Sequence, residues 1–376
     1  MIRLVLALLA AVALVAGGLA AVVADRSEEP VAVTVSNGRS LKQASTSQSA
    51  PATTAPARAR APGPFPGFLL VADRGNDKAL LLDGRKRILW RYPRPGRRPA
   101  MPFSYDDDVF FGPGYRTIVS NQEDQETVQV LSFPAGRLVW SYGHVNQVGS
   151  SRGYMNNPDD AYQLRSGRIS VADTRNCRVL ILSRSRRIVR QYGRPGDCVH
   201  DPPWSLASPN GDTPLADGGM LISEIGGSWI DDISASGKLR WAVQAPIAYP
   251  SDAQMLSSGR ILVADYSSPG HVIVMTRRGK VVWSYGPPSG PGMLDHPSLA
   301  LRLPNGLIAV NDDYRDRVIV IDPRTHRIVW QYGHTDRPGR SHGYLNTPDG
   351  MDFLPTAVAL SHPAIDRLVR RSLLPR

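Results

Sequence analysis

The chain has 376 residues, of which 42% are hydrophobic and 20% are charged, so it is long enough to bury a large core. It carries 44 Lys and Arg residues against 33 Asp and Glu residues, a formal net charge of +11 at pH 7. No stripe of basic residues interleaved with aromatic residues accompanies this charge. We therefore expect no nucleic-acid partner.

The first distinct segment runs from residue 4 to residue 24 and contains no charged residue. At about 1.5 Å per helical residue it is long enough to cross a bilayer core of about 30 Å. Because Arg3 and the amino terminus precede it, the rest of the chain is expected outside the cytoplasm. We predict a single-pass anchor in the cytoplasmic membrane over 1–24. The alternative is a secreted protein, since Val22 and Ala24 fit a signal-peptidase site.

The second segment, residues 25–66, is rich in Ser, Thr, Ala and Pro. A segment of this composition has too few apolar residues to build a core of its own. It is therefore predicted to be a disordered or extended linker between the anchor and the folded part.

A sequence repeat fills most of the remaining chain. A strand-like run that ends at a marker residue, usually followed by Tyr-Gly, recurs at intervals of 42 to 51 residues. The markers are Trp90, Trp140, Arg190, Trp241, Trp283 and Trp330. Each unit has the pattern of four short β-strands separated by Gly, Asn, Asp and Ser turns. Six such units predict an all-β fold, a six-bladed β-propeller over residues 67–355.

The two ends of the repeat region complement each other. The first unit begins near Phe68 without an innermost strand, and residues 348–354 have the pattern of an inner strand with no unit after it. We expect this C-terminal strand to complete blade one, which leaves no long free edge. Residues 356–376 are predicted to form a basic amphipathic helix, which packs against the propeller or lies on the membrane surface.

The repeat resembles the NHL and quinoprotein-like (PQQ-like) propeller families. The residues that carry the resemblance are PDDAYQLRSGRISVADTRNCRVLIL (158–182), YPSDAQMLSSGRILVADY (249–266) and LPNGLIAVNDDYRDRVIVID (303–322). Related propellers include scaffolds, lactonases, lyases, sulfotransferases and dehydrogenases, so the resemblance implies a fold and leaves the function open. Residues 321–333 also resemble the tryptophan-docking motif of quinoproteins. Those enzymes are expected to have eight blades, so we do not expect pyrroloquinoline quinone as a cofactor here.

Acidic residues recur early in the predicted inner strands. Asp107, Asp160 and Asp252 are expected at the mouth of the axial channel, where Asp212 also falls. Converging carboxylates suit Ca²⁺, which takes roughly 6–8 oxygen ligands. The resemblance to gluconolactonase-like six-bladed hydrolases implies a cation at the same place. The alternative is that each Pro-x-Asp caps the turn into its strand.

Two long loops are near copies of each other, at residues 140–164 and 330–354. They contribute His144 and His334 as candidate catalytic residues, and Asn156 and Asn346 as candidate ligand-binding residues. His296, a third catalytic candidate, and His342, a candidate ligand-binding residue, belong to the same predicted face. Resemblance to arylsulfotransferase-like propellers implies a catalytic histidine, and resemblance to amidating-lyase-like propellers implies zinc held by axial histidines. The alternative for His144 and His334 is a role in loop packing.

An insertion in the fourth unit interrupts the repeat and contributes His200 and Trp204 as candidate ligand-binding residues. In the same unit Glu224 replaces the aspartate that usually ends the second strand, as Asp173 does in the third unit. The chain has only two cysteines, Cys177 and Cys198, and both fall on the predicted loop face. In an exported protein this pair predicts a disulfide.

These observations favour a binding or scaffold module over an enzyme, with a protein, a peptide or a glycan as its ligand. One alternative is a metal-dependent hydrolase or lyase with an axial site that holds calcium or zinc. Another is an arylsulfotransferase-like enzyme that uses a loop histidine. Propeller active sites are dispersed along the sequence, so the absence of a local catalytic motif decides little between these hypotheses.

Overall fold

The structure is a computed structural model that describes residues 63–373. The predicted N-terminal anchor and most of the predicted linker lie outside these residues. Within the described part, no helix has the length and apolar character needed to span a bilayer.

The described chain forms six four-stranded antiparallel sheets, which confirms the all-β, six-bladed propeller. We number the blades in chain order and the strands of each blade from the axis outwards. The second to fourth strands of blade 1 are β1 (Gly67–Asp73), β2 (Lys78–Asp83) and β3 (Ile88–Tyr92). Blade 2 contains β4 (Asp106–Phe111), β5 (Thr117–Gln122), β6 (Thr127–Ser132) and β7 (Leu138–Gly143). Blade 3 contains β8 (Pro158–Gln163), β9 (Ile169–Asp173), β10 (Arg178–Leu182) and β11 (Ile188–Gly193).

The remaining blades follow the same order. Blade 4 contains β12 (Pro209–Gly211), β13 (Met220–Glu224), β14 (Trp229–Ile233) and β15 (Leu239–Gln244). Blade 5 contains β16 (Pro250–Met255), β17 (Ile261–Asp265), β18 (His271–Met275) and β19 (Val281–Tyr285). Blade 6 contains β20 (Ala300–Arg302), β21 (Ile308–Asp312), β22 (Arg317–Asp322) and β23 (Arg327–Gly333). The innermost strand of blade 1 is β24 (Pro348–Pro355), which pairs antiparallel with β1.

The core consists of six apolar layers, one between each pair of neighbouring blades. Successive side chains of a strand point to opposite faces of its sheet. In β10, for example, Leu180 and Leu182 pack towards blade 2, whereas Val179 and Ile181 pack towards blade 4. Both faces of the middle strands are therefore buried, and this explains their nearly continuous aliphatic sequences.

Five of the six marker residues of the repeat hydrogen-bond to the next blade, whereas the indole N–H of the sixth, Trp241, is buried without a hydrogen-bond partner among the described residues. Four tryptophans donate their indole N–H to a backbone carbonyl in the neighbouring blade, at 2.9 to 3.0 Å. The pairs are Trp90–Pro134, Trp140–Arg184, Trp283–Pro323 and Trp330–Gly84. In blade 3, Arg190 takes the place of tryptophan and donates to Ala235 O at 2.7 Å. The one departure from the ladder therefore keeps the same inter-blade hydrogen bond.

Both ends of the described chain pack against blade 1. Phe65 is buried against Trp330 and Phe353, so the packed chain begins two residues before the predicted propeller boundary. After β24 the chain forms α1 (Thr356–Ser361) and α2 (Pro363–Leu373), where the sequence predicts a single helix. The apolar side of α2 is buried in the layer between blades 1 and 2.

The propeller has two different faces. The turns between second and third strands and the loops between blades lie on one face, which we name the loop face. The opposite face, named the turn face, carries the turns between first and second strands and between third and fourth strands. A disulfide joins Cys177 and Cys198 on the loop face, as predicted. By analogy with loops of similar size, it stabilises the fold by about 3 kcal/mol.

Three blades share a buried ion pair near the loop face. The aspartate that ends the second strand pairs with a basic residue that begins the third strand, at 2.6 to 2.9 Å. These rim pairs are Asp73–Lys78, Asp173–Arg178 and Asp312–Arg317. Each aspartate also accepts a backbone N–H from the preceding blade-to-blade loop. The rim pairs thus anchor the loops, which explains why aspartate recurs at this position of the repeat.

Candidate functional site

The inner strands of five blades change register near the loop face. In blade 3, Pro158 pairs with Asp173 and Asp160 pairs with Ala172, so Asp159 is an extra, unpaired residue. A β-bulge of this kind re-aims the side chains on the bulged strand. Consecutive residues such as Asp159 and Asp160 can therefore both contribute to the axial channel, at two different depths.

The upper layer of the channel surrounds a cavity of about 100 Å³. Each blade contributes one polar residue from the start of its inner strand: Asp107, Asp159, Asn210, Ser251, Ser298 and Asp349. The other lining residues are Arg74, Glu123, Tyr249 and Tyr266, from loops and turns of the loop face. Four carboxylates therefore surround a single guanidinium.

Arg74 is held in the middle of this acidic ring. Its Nη1 lies 2.7 Å from Asp107 Oδ1 and 2.7 Å from Asp349 Oδ2, and its Nη2 pairs with Glu123. Burial opposes the charge on Arg74, but the three carboxylates outweigh it and raise the pKa of the guanidinium. Arg74 is therefore a fixed positive charge, and it offsets only part of the negative charge of the mouth.

A second layer of carboxylates lies directly below. Asp108, Asp160 and Asp252 come from blades 2, 3 and 5, and their ligand-type oxygens lie within 4.8 Å of one another. Asp160 Oδ2 accepts the backbone N–H of Asp212 at 2.9 Å. One oxygen of Asp108 and one of Asp160 accept no hydrogen bond from any described residue, and the same holds for both carboxylate oxygens of Asp212.

Two glycines make room for this layer. A Cβ at Gly350 would overlap Asp108 Oδ1, and a Cβ at Gly211 would overlap Asp252 Oδ1. Burial, followed by repulsion between the carboxylates, raises the pKa values of Asp108 and Asp252 well above the ordinary range. No basic side chain of the described chain forms an ion pair with Asp108, Asp160 or Asp252. The layer therefore has the ligand atoms of a hard-cation site and no internal counter-charge.

A separate cluster lies in blade 4. His200 Nδ1 is 3.1 Å from Glu224 Oε1 and 3.9 Å from Asp231 Oδ2, and both carboxylates are fully buried. The imidazole stacks on Trp229 with a ring separation of 4.0 Å and an interplanar angle of 5°. Burial, followed by the adjacent Glu224, raises the pKa of Asp231 to about 10.

The candidate catalytic histidines lie in loops and not in the axial cavity. His144 packs against Tyr154 and His334 against Tyr344, with ring separations of 4.4 and 4.1 Å. This equivalent packing fits the alternative that they order the two similar loops. The ring of His296 lies 4.9 Å from that of Tyr266, which lines the cavity, so His296 is one residue removed from the mouth.

The candidate ligand-binding residues are dispersed. The backbone N–H groups of Asn156 and Asn346 donate to Asp173 and Asp73, so both asparagines anchor loops to the rim. His342 is exposed on the loop face. Trp204 is 65% exposed, and the aromatic partner of His200 is Trp229 rather than Trp204.

The sequence places Asp107, Asp160 and Asp252 together at the mouth of the channel, and the structure places them at two depths. Asp107 belongs to the mouth with Arg74, whereas Asp160 and Asp252 belong to the lower layer with Asp108. The missed charged residues are Arg74, Asp108, Glu123, Asp159 and Asp349. The run Asp106-Asp107-Asp108 was a visible signal for a third carboxylate, but only the bulge shows which of its members faces which layer.

Comparison with known proteins supports the architecture. No protein-family model matches the chain, and no curated protein sequence matches it. Its backbone is similar to that of a protein of unknown function from Bacteroides caccae, with 16% identity, a TM-score of 0.55, and coverage of 77% of this chain and 99% of that one. A chain of a nidogen/laminin complex is similar with 13% identity, a TM-score of 0.52, and coverage of 76% and 97%.

Virginiamycin B lyase from Staphylococcus aureus shows a more distant similarity, with 12% identity, a TM-score of 0.45, and coverage of 66% of this chain and 77% of the lyase. The chain shares a fold with its neighbours. At these identities the likeness extends no further than the β-propeller architecture, and it transfers no site residue and no activity.

Proposed function

We propose that this protein is a cation-dependent binding module, in which a divalent cation of the calcium type in the axial channel orders a ligand-binding loop face. The observation that carries the proposal is the lower layer of Asp108, Asp160 and Asp252, which are buried, close together and without a basic partner among residues 63–373. Isolated buried charges are strongly unfavourable unless they are paired or coordinate a metal. An all-oxygen ligand set suits Ca²⁺ rather than a softer metal.

The size of the cavity supports a binding role rather than catalysis in the channel. Its volume of about 100 Å³ corresponds to only a few water molecules, each of which occupies about 30 Å³ in the liquid. Sites for organic ligands usually measure about 300–1,000 Å³. The cavity above the proposed cation site is therefore small for an organic substrate, which weighs against the hydrolase and lyase alternatives.

The same proposal gives the cation a mechanical role. The ligand atoms come from the inner strands of blades 2, 3 and 5, while the mouth above them is lined by loop-face residues such as Tyr249 and Tyr266. A bound cation draws these strands together at the level where the loops begin. Partner binding on the loop face, by a protein, a peptide or a glycan, is then expected to strengthen when the cation is present.

The charge of the turn face supports placement at a membrane. The turn between the third and fourth strands of every blade exposes a basic residue: Arg85, Arg137, Arg184, Lys238, Arg277 and Arg324. The described chain also begins on this face, where Pro64 O accepts a hydrogen bond from Asn305. We include in the proposal that the protein is held outside the cytoplasm with its turn face towards anionic lipid headgroups.

Membership of the NHL or quinoprotein-like subfamily rests on the repeat alone and is part of the same proposal.

Calorimetric titration of Ca²⁺ into the full chain, after removal of metals with a chelator, tests the cation site. We expect one calcium per chain, and at least about a 100-fold weaker affinity in the double variant Asp160→Asn/Asp252→Asn. Asp322→Asn, on the turn face, is the matched control and keeps the wild-type affinity. If the folded wild-type chain binds no calcium, the proposal fails and capture of a partner without metal becomes the next experiment.

A further inference from the structure

Blade 4 departs from the other blades at two positions that face each other. Strand pairing places Glu224 opposite Trp229, just as Asp173 lies opposite Arg178 in blade 3. Two residues further along the third strand, blade 4 has Asp231 where blades 1, 3, 5 and 6 have an aliphatic residue: Leu80, Leu180, Ile273 and Ile319. A carboxylate has therefore replaced an aliphatic side chain at a fully buried position.

Nothing in the blade compensates this replacement. The position of the rim cation, occupied by Arg178 in blade 3, is taken by Trp229. Both oxygens of Asp231 accept no hydrogen bond from any residue between 63 and 373, although the side chain is fully buried. Within the same range, the only charged partner of Glu224 or Asp231 is His200.

Blade 2 shows how the same two positions are filled without charge. In blade 2 the positions of Glu224 and Asp231 are occupied by Gln122 and Gln129. The Gln129 amide donates to Gln122 Oε1 at 2.5 Å and to Pro102 O at 2.6 Å. An amide can be both donor and acceptor, so one of these amides can donate to the other without any charge. Two carboxylates at these positions need a shared proton or a cation between them.

The third donor of the cluster is rigidly placed. His200 is fixed from one side by its stacking on Trp229, and its loop is fastened to blade 3 by the disulfide of Cys198, two residues away. Glu224 is oriented as well, because its Oε2 accepts the backbone N–H of Ala207. This leaves Glu224 Oε1, His200 Nδ1 and the Asp231 carboxylate to converge on one point.

We propose that His200, Glu224 and Asp231 bind a transition-metal ion of the zinc type. Ligand bonds of about 2.0–2.2 Å in a tetrahedral site place neighbouring donor atoms about 3.3 Å apart. The distances of 3.1 and 3.9 Å from His200 Nδ1 lie on either side of that value. An imidazole with two carboxylates suits Zn²⁺, whereas Ca²⁺ prefers oxygen ligands and more of them.

The fourth coordination position is on the solvent side of the site. The His200 side chain is 19% exposed, while the two carboxylates are closed off by the blade. A site with three protein ligands and one open position can bind a donor group of a ligand on the loop face. Trp204, which belongs to the same blade-to-blade loop, is an exposed apolar side chain of the loop face.

The test is equilibrium dialysis of the full, tag-free chain against Zn²⁺ in the presence of excess Ca²⁺, which occupies the axial carboxylates. We expect one zinc per chain, and at least about a 100-fold weaker zinc affinity in His200→Ala and in Glu224→Gln/Asp231→Asn. The double variant copies the uncharged chemistry of blade 2, so it should fold even where a single truncation does not.

The matched control is His271→Ala. His271 lies opposite Asp265 in blade 5, in the same register as Trp229 opposite Glu224, but it has a single carboxylate nearby. This variant should retain the wild-type zinc affinity. Wild-type zinc affinity in Glu224→Gln/Asp231→Asn overturns the proposal, as does a folded wild-type chain that binds no zinc. Calcium titration of the same variants reports on the axial site separately, so the two proposals can fail independently.

Discussion

The rim and the axis of this propeller bury carboxylates in opposite ways. At the rim, Arg317 lies 2.7 Å from Asp312, and it opposes the effect of burial so that the pKa of Asp312 rises only to about 6. In the channel, Asp160 and Asp252 have no such partner in the part of the chain that the structure describes, and burial together with mutual repulsion raises the pKa of Asp252 well above its ordinary value. In blade 4, burial beside Glu224 raises the pKa of Asp231 to about 10.

The presence or absence of a basic partner distinguishes carboxylates that stabilise the fold from carboxylates that can bind a cation. A carboxylate with its own arginine is complete within the chain and anchors a loop. A buried carboxylate without one destabilises the fold unless a cation from solution neutralises it. The described chain has such carboxylates at two places, below the axial cavity and beside the partly exposed His200.

Removing the cation of a rim pair should have the largest effect. Arg317→Met converts Asp312 into an uncompensated carboxylate, and we expect a loss of about 3–5 kcal/mol in the free energy of unfolding, measured by chemical denaturation. The double variant Asp312→Asn/Arg317→Met removes both charges and should recover much of that loss. An equal loss in the single and the double variant would show that packing of the arginine, and not its charge, is what matters.

Adding a cation should stabilise the axis and leave the rim unchanged. Ca²⁺ at about 100 times its Kd should raise the free energy of unfolding by about 2.7 kcal/mol, because it binds only the folded state. Asp160→Asn/Asp252→Asn should lose this stabilisation, and Arg317→Met should retain it. A calcium response that survives in the axial double variant contradicts the assignment of the site.

In a chelating buffer the stability should fall as the pH rises. The pKa values of Asp108, Asp160 and Asp252 are higher in the folded state than in the unfolded chain. Their contribution is therefore fully present below the unfolded value near 4 and is lost as the pH rises towards the folded values.

We expect a higher thermal midpoint at pH 5 than at pH 8 in chelator, and a smaller difference in saturating Ca²⁺. The part of this pH dependence that comes from the axis should be missing in Asp160→Asn/Asp252→Asn. An unchanged pH profile in that variant assigns the effect to other groups.

The smallest effect is expected for a carboxylate on the turn face whose basic partner is exposed. Asp322 pairs with Arg324 at 3.2 Å on the turn face, where solvent screens the interaction. Asp322→Asn should leave both the stability and the calcium response unchanged within measurement error. A measurable loss of stability would contradict the expectation that solvent screening makes the Asp322–Arg324 pair nearly neutral for the fold.

The sequence predicted the architecture because the repeat carries it in local patterns. The tryptophan markers, the spacing of the units and the Cys177–Cys198 pair are all features of the sequence itself, and the structure confirms the six blades and the disulfide. The chemistry of the site was less predictable. Because of the bulge, Asp107 pairs with Arg74 whereas Asp108 lies near Asp160. The sequence alone does not show which of two consecutive aspartates lies deeper in the channel.

The blade 4 cluster could be predicted only in part. His200 and Glu224 stood out because they interrupt the repeat, but Asp231 becomes unusual only when strand register aligns it with Leu180. The stacking of His200 on Trp229, and not on the nearer Trp204 in sequence, depends on the path of the loop held by the disulfide.

The axial cation is best tested by a crystal structure of the protein grown with Ca²⁺, with anomalous scattering used to locate the ion. We expect one calcium at the axis, about 2.3–2.6 Å from oxygens of Asp108, Asp160 and Asp252, with waters completing its coordination. Water alone at that position, with the carboxylates paired through shared protons, would contradict the proposal that these three aspartates bind a cation from solution.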